Sequence, residues 1–384
     1  VSHLFPTYIK KPITLKEGKG AWLYTEDGKS YLDFIAGIAV CNLGHQHPAV
    51  VDALQSQAGK LWHASNLFHY NVQEEAAKKL ADASVCDHVF FCNSGTEANE
   101  AAIKLARKAT GKHHIVAMKQ SFHGRTLGAM AATGQEKVHE GFGPMLSSFS
   151  FASFNDIESV KAAVTDETAA IMIEVVQGEG GVHLMSETFA KELQSFCQET
   201  GVLLIIDEIQ TGVGRTGKMF AYEHFQLNPD IVTVAKGLGN GFPMGAMLGK
   251  ANLAESFGVG SHGSTFGGNP LAAAVVSAVI DELTKESFLA EIAQKAEVFI
   301  TDLREQLKAA KIVREVRGQG FLIGIELTEA CAPYIEACEK KGLLLLPAGP
   351  NVIRVLPPLT VTEADCQEAL SILTEVLHEQ AVTL

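Results

Sequence analysis

The chain has 384 residues, with 31 Lys+Arg against 44 Asp+Glu and a formal charge of −13 at pH 7. That acidity disfavours a nucleic-acid or anionic-membrane surface, because both select a basic face. With 47% hydrophobic and 20% charged residues, the composition is that of a globular protein with ample core, not of a disordered or fibrous chain.

The first 50 residues carry two strand-like runs, Ala21 to Tyr24 and Tyr31 to Phe34, around the turn Asp27-Gly28. No apolar core followed by a small-residue cleavage site marks Val1 to Leu15, so no secretion signal is expected. From about residue 85 to 250 short apolar runs alternate with amphipathic segments. His88 to Cys92, His114 to Met118, Ala169 to Val176, Val202 to Asp207, Asp230 to Ala235 and Ala246 to Gly249 read as strands, and Ala98 to Lys108 and Glu187 to Glu199 as helices. The alternation predicts an α/β fold with a mostly parallel central sheet and helices on both faces. Ligands of such a sheet sit beyond the carboxyl ends of its strands.

After Pro270 a long helical stretch to about Lys311 is followed by strands at Val313 to Arg317 and Phe321 to Glu326, and by helices at Pro333 to Lys341 and Glu363 to Gln380. This texture predicts a smaller α+β domain over 271–384, a large domain over 51–270, and an N-terminal segment, 1–50, packing with the small domain. The longest apolar stretch, Leu271 to Ile280, is about half of what a bilayer span needs, so a buried helix and no membrane segment are expected. Seven cysteines, at 41, 86, 92, 197, 331, 338 and 366, are scattered without a Cys-x-x-Cys pair, which points to a reducing, cytoplasmic compartment. His45 and His47 raise a metal reading, but an i, i+2 pair before proline without an acid or cysteine nearby carries no metal expectation.

Three features carry chemistry. Asn93-Ser94-Gly95-Thr96-Glu97 follows a strand and opens a helix, where free backbone N–H groups and the positive end of the helix dipole favour an anion. A plain N-cap reads the same residues equally well. Asp207 ends the apolar strand Val202 to Ile206, and a carboxylate there is costly to bury unless a cation meets it. Lys236 ends the strand Asp230 to Ala235 and precedes Gly237, Gly239 and Gly241, which clear space for its stem; a solvated strand-end lysine is the plainer alternative. A phosphate cradle, a buried acid and a cleft lysine together suit pyridoxal 5'-phosphate, whose aldehyde condenses with an amine and whose ring nitrogen needs a carboxylate partner. Gly212 to Gly217 also matches Gly-x-Gly-x-x-Gly, but it follows no strand directly and opens no convincing helix, which weighs against a nicotinamide site.

Asn93 to Glu100, Ser121 to Thr126, Glu174 to Gly181, Leu204 to Gly217, Ala235-Lys236-Gly237 and Gly263 to Pro270 resemble the class III (ω-amino acid) pyridoxal-phosphate aminotransferases of fold type I. The motifs keep their order from Phe34 to Pro358. The resemblance implies that Lys236 bonds the cofactor covalently, that Asp207 pairs with its ring nitrogen, and that Ser94, Gly95 and Thr96 hold its phosphate. Phe122 is expected to stack on the ring, Gln210 to reach its phenolic oxygen, Glu174 to lie among the cofactor contacts, and Thr265 to reach the phosphate of a neighbouring subunit in a homodimer. Arg125, with Ser264 beside it, is expected to receive the distal end of the substrate. Arg354 is expected to clamp the α-carboxylate of glutamate, with Glu179 as the acid that gates it.

Within the family the resemblance is to the branch acting on N2-acetyl-L-ornithine in arginine biosynthesis, with 2-oxoglutarate as acceptor and glutamate as product. The competing branch takes ornithine and carries a tyrosine where this chain has Ile38. An isoleucine offers a free α-ammonium no polar partner, at a cost of about 1–3 kcal/mol. Succinylornithine, other ω-amino acids, and a same-fold aminomutase or decarboxylase remain open alternatives.

Overall fold

The computed structural model describes residues 3–378. Seven strands form the central sheet in the spatial order His88–Cys92, Gly245–Gly249, Ile231–Val234, Leu203–Asp207, Thr168–Ile173, His114–Met118 and Phe149–Ala152. All are parallel except Gly245–Gly249, which runs against both its neighbours.

Every residue of Thr168–Ile173, Ile231–Val234 and Gly245–Gly249 is buried. Alternate side chains reach two separate cores. Val116, Ile171, Ile173, Leu204, Ile206 and Val232 face one, with Ala272, Val276 and Leu193 from the covering helices. Ile115, Met172, Ile205, Ile231 and Met247 face the other, against Ala102, Leu105 and Ala106 of the helix Gly95–Thr110. Burial on both faces explains why these strands read as continuous apolar runs without alternation.

The expected strand to Val176 stops at Ile173, and a small hairpin, Val176–Gln177 with His183–Leu184, follows. Phe149–Ala152 is an edge strand that its serine-rich surroundings concealed. The helical stretch after Pro270 is two helices, Pro270–Leu283 and Phe288–Leu307, broken at a polar turn where Ser287 takes φ 66°. The first of these packs against Pro48–Ala58 and Asn71–Asp82.

A second, antiparallel sheet joins Val313–Gln319, Leu322–Leu327, Val352–Val355 and Leu346–Pro347. Near the N-terminus, Leu15–Lys19, Trp22–Thr25 and Ser30–Asp33 form a meander whose last strand pairs with Leu343–Leu344. Phe34 meets Phe299 edge-on at 6.1 Å, and Trp22 Nε1 donates to Asp365 Oδ1 at 2.9 Å.

The Gly212 to Gly217 stretch is a packing turn and begins no dinucleotide-binding helix. Gly214 and Gly217 hold φ 83° and 86°, and a Cβ on Gly217 would fall 2.8 Å from that of Ala293. Between them the fully buried Arg215 donates to Pro357 O at 2.5 Å, Phe321 O at 3.1 Å and Asn42 Oδ1 at 2.5 Å. One guanidinium thus ties the main sheet to the N-terminal segment and to the second sheet. Arg215→Ala leaves three buried acceptors unmet and is expected to lower stability by at least about 3 kcal/mol, measured by urea unfolding.

Candidate active site

A cavity of about 390 Å³ opens at the carboxyl ends of the parallel strands. Its wall contains Ser94, Gly95, Thr96, Phe122, Arg125, Glu174, Glu179, Asp207, Gln210 and Lys236. These residues come from five separate segments and meet because each follows the end of a central strand, where parallel ladders leave the backbone free to turn.

At one end lies the start of the helix Gly95–Thr110. Its cap, Ser94, accepts from Glu97 N at 3.3 Å, and Ala98 N bonds to Ser94 O. The N–H groups of Gly95 and Thr96 make no bond within the described residues. The backbone is crowded there: a Cβ on Gly95 would lie 2.8 Å from Ile209 Cδ1, and one on Gly124 would lie 2.3 Å from Thr96 Oγ1. Two free donors beside the Thr96 hydroxyl make an anion cradle.

On the cavity floor Asp207 is 3% exposed. Its Oδ1 accepts from Ile209 N at 3.0 Å; its Oδ2 accepts from Asn99 Nδ2 at 2.9 Å and lies 2.7 Å from His123 Nδ1. Among the described residues, His123 Nε2 is buried without a partner. Glu174 accepts from Phe122 N at 3.2 Å, and burial, reinforced by the charge of Asp207, pushes its carboxyl well above the ordinary range. Lys236 takes φ 46°, an uncommon conformation for a residue with a side chain. Burial above all, aided by Arg354, brings its amine down to about 8, although Glu179, Asp207 and Glu174 pull the other way.

Arg354 is 2% exposed and lies behind the wall, covered by Glu179 and Gln210. Its Nη1 donates to Glu179 Oε1 at 2.6 Å, to Gly178 O at 3.0 Å and to Gln210 Oε1 at 3.0 Å. Burial pushes Glu179 up, but the charge and hydrogen bond of Arg354 outweigh it and leave the carboxyl below its usual range. Arg125 is exposed at the mouth, its guanidinium carbon 5.7 Å from the centre of the Phe122 ring.

Ser264 and Thr265 do not line the cavity of this chain. Ser264 Oγ accepts from Asn93 Nδ2 at 3.1 Å and Gly267 N at 3.0 Å, and Thr265 is exposed. Ile38, with φ 70°, is also outside the wall, whereas Val40 contributes to it.

Residues 6–377 match the family model for class-III aminotransferases. The chain belongs to the class III aminotransferases. It is 58% identical, over the full length of both chains, to the acetylornithine aminotransferase of Halalkalibacterium halodurans, and 55% identical to that of Bacillus subtilis, again over both whole chains. Among solved structures, the N-acetylornithine aminotransferase of Stenotrophomonas maltophilia aligns with a TM-score of 0.84 and 36% identity, covering 96% of each chain. The ornithine aminotransferase of Toxoplasma gondii, which carries PLP in its active site at partial occupancy, aligns at 0.94 with 31% identity, covering 98% of this chain and 92% of that one.

Class III aminotransferases use pyridoxal phosphate, and the cavity of this member suits it. Its wall brings together an anion cradle, a buried carboxylate and an amine with no hydrogen bond among the described residues. Beside Asp207 the buried Nε2 of His123, a residue of the cavity wall, is left without a hydrogen-bond partner among the described residues.

Sequence reasoning missed His123 and Asn99, although both lie within the recognised motifs, because their partner Asp207 is 84 and 108 residues away. It also missed Phe242, Pro243 and Met244, which close one side of the cavity and carry no polar signal. With the Lys236 amine at about 8, its neutral, nucleophilic fraction grows with pH and is nearly complete above about 9. The rate at which the cofactor-free enzyme captures pyridoxal phosphate, trapped by borohydride, is therefore expected to rise through about pH 8 and then level. An ordinary lysine levels only above about 10.4, and Lys236→Ala is expected to trap none.

Proposed function

We propose that this chain transfers the terminal amino group of N2-acetyl-L-ornithine to 2-oxoglutarate, releasing N-acetyl-L-glutamate 5-semialdehyde and L-glutamate. The observation that carries the reading is the Arg354–Glu179 pair, a guanidinium and a carboxylate 2.6 Å apart beside the lysine-bearing cavity. A site that must alternate between a donor without a carboxylate at that end and a dicarboxylate acceptor needs a cation that can be covered and uncovered. Full-length relatives named acetylornithine aminotransferase, at 50–58% identity, support the choice of donor.

Pyridoxal phosphate, when bound, supplies an electron sink for the carbon that bears the amine. Every other task falls to the chain. The N–H groups of Gly95 and Thr96, with the hydroxyls of Ser94 and Thr96, anchor the phosphate. Asp207, held by Asn99 and His123, keeps a proton on the ring nitrogen, since a buried carboxylate strongly favours a cationic neighbour. Phe122 would stack along one face of the ring, and Glu174 and Gln210 would meet its polar edge, all three lining the cavity. Lys236 would hold the cofactor through its amine and, released, would serve as the base that moves a proton at the reacting carbon; an amine near 8 could do this close to neutrality.

Arg125, exposed at the mouth, meets the distal carboxylate, where its planar fork binds bidentately. When glutamate or 2-oxoglutarate enters, its α-carboxylate takes Arg354 and Glu179 swings aside; when the acetylated donor enters, Glu179 returns. The aliphatic wall at Val40 suits a donor whose α-amine is neutralised by acetylation. Trp62, Leu67 and Phe266 expose 64%, 87% and 58% of their surface, an apolar face that a second copy would cover. In the resulting homodimer Ser264 and Thr265 complete the neighbour's site. The seven cysteines, all free thiols, accord with work in the reducing cytoplasm.

In one assay with 2-oxoglutarate, kcat/KM for N-acetylornithine is expected to exceed that for ornithine and 4-aminobutyrate by at least about tenfold, with succinylornithine as the nearest rival. Turnover without any need for 2-oxoglutarate overturns the reading. Glu179→Ala leaves Arg354 uncovered during the donor half-reaction and is expected to lower that half-reaction roughly tenfold or more relative to the glutamate one. An unchanged ratio, read from single-turnover spectra, sinks the exchange of partners at Arg354.

A further inference from the structure

Glu179 sits on a loop, Gly178 to Val182, that leaves the main sheet and lies against the second one. In that second sheet Arg317 is registered with Gly324, and Gly324 with Arg354. Residues directly opposite one another on antiparallel strands point to the same face, so the two arginines flank a glycine in one row across three strands.

The loop is seated on that row. A Cβ on Gly324 would fall 2.9 Å from Val182 Cβ, so the bare backbone of Gly324 is what lets Val182 settle between the arginines. Arg354 grips the upstream end, through Gly178 O and Glu179 Oε1. Arg317 grips the downstream end: its Nε donates to Gly181 O at 3.2 Å and Val182 O at 3.0 Å, and its Nη2 to Gly181 O at 2.6 Å.

The two grips differ in chemistry. Arg317 Nη1 is already paired with Glu315 at 2.7 Å and Glu326 at 2.5 Å, and Arg317 lies outside the cavity wall. It is not available to a substrate carboxylate. Arg354 has one carboxylate partner, and that partner is the movable Glu179. The gripped turn is also strained: Val182 holds φ 55°, costly for a β-branched residue, and Gly181 holds φ 122°.

We infer that Arg317 is a positioning residue for the partner exchange at Arg354: it pins the Gly181–Val182 turn so that Glu179 swings from a fixed pivot and returns to the same guanidinium. This rests on the exchange proposed above. While a substrate carboxylate occupies Arg354, the Glu179 half of the upstream grip is lost and the downstream grip of Arg317 fixes the turn from which Glu179 must return. Without it the turn relaxes and Glu179 returns to a distribution of positions, which penalises the donor half-reaction and leaves the glutamate one almost untouched.

The test measures both half-reactions of the holoenzyme by single-turnover kcat/KM for Arg317→Gln, Arg317→Lys, Glu179→Ala and the double variant Glu179→Ala/Arg317→Gln, with amide hydrogen exchange over residues 178–182. Arg317→Gln is expected to lower the donor-to-glutamate ratio about 3- to 30-fold, in the same direction as Glu179→Ala, to add nothing to that ratio in the Glu179→Ala background, and to speed exchange in the loop. Arg317→Lys keeps the charge on a single donor nitrogen and is the variant read if Arg317→Gln does not fold; its ratio should fall between that of the wild type and that of Glu179→Ala. Equal losses in both half-reactions, or a shift of ratio that persists undiminished in the Glu179→Ala background, overturns the inference and makes Arg317 merely structural. A Glu179→Ala protein with an unchanged ratio instead overturns the exchange itself, so the two failures are told apart.

Discussion

Burying Asp207 at the end of a central strand is the constraint on which the site depends. A carboxylate with so little access to water keeps its charge only if donors surround it. Asn99, His123 and the Ile209 N–H surround it on three sides. The same burial sorts the neighbouring acids. Glu174, with a single backbone donor, is driven toward its neutral form, while Glu208, fully buried and held by Thr211 and Tyr222 N, is pushed up to about 7. Asp207 lines the cavity, whereas the next residue, Glu208, points into the protein interior.

Three buried arginines then connect the site to the rest of the molecule. Arg215 binds the Lys236-bearing unit to backbone carbonyls of the second sheet, Arg354 brings a cation from that sheet to the cavity, and Arg317 holds the loop between them. Only Arg317 is balanced by two carboxylates; Arg215 meets neutral acceptors alone, and burial lowers its guanidinium to about 9. Guanidinium groups suit these junctions because a planar fork spreads five donors over three nitrogens and so reaches acceptors on different segments, whereas an ammonium offers three donors from a single point.

Much of this was legible in the chain. The strands His88–Cys92 and His114–Met118 carry the predicted bounds, because each is a short run of apolar residues that opens on a histidine, although the first is a half-buried edge strand. The positions of Ser94, Asp207 and Lys236, each at or just beyond the end of such a run, indicate the carboxyl edge of a sheet without any knowledge of which strands are neighbours. The edge strand Phe149–Ala152 was not legible, being half-exposed and mixed with serine. The break at Ser287 was not legible either, since a short polar turn between two amphipathic helices keeps their periodicity.

The sequence by itself determined the chemical inventory: a lysine, an acid and an anion-binding turn, each placed by local rules of strand and helix termination that act over a few residues. Tertiary structure alone decided what lies behind that inventory. It set His123 against Asp207, hid Arg354 behind Glu179, and aligned Arg317, Gly324 and Arg354 in one row, because sheet register and the meeting of two sheets join residues that lie apart along the chain, 84 positions for His123 and Asp207 and 175 for Glu179 and Arg354, and share no local pattern.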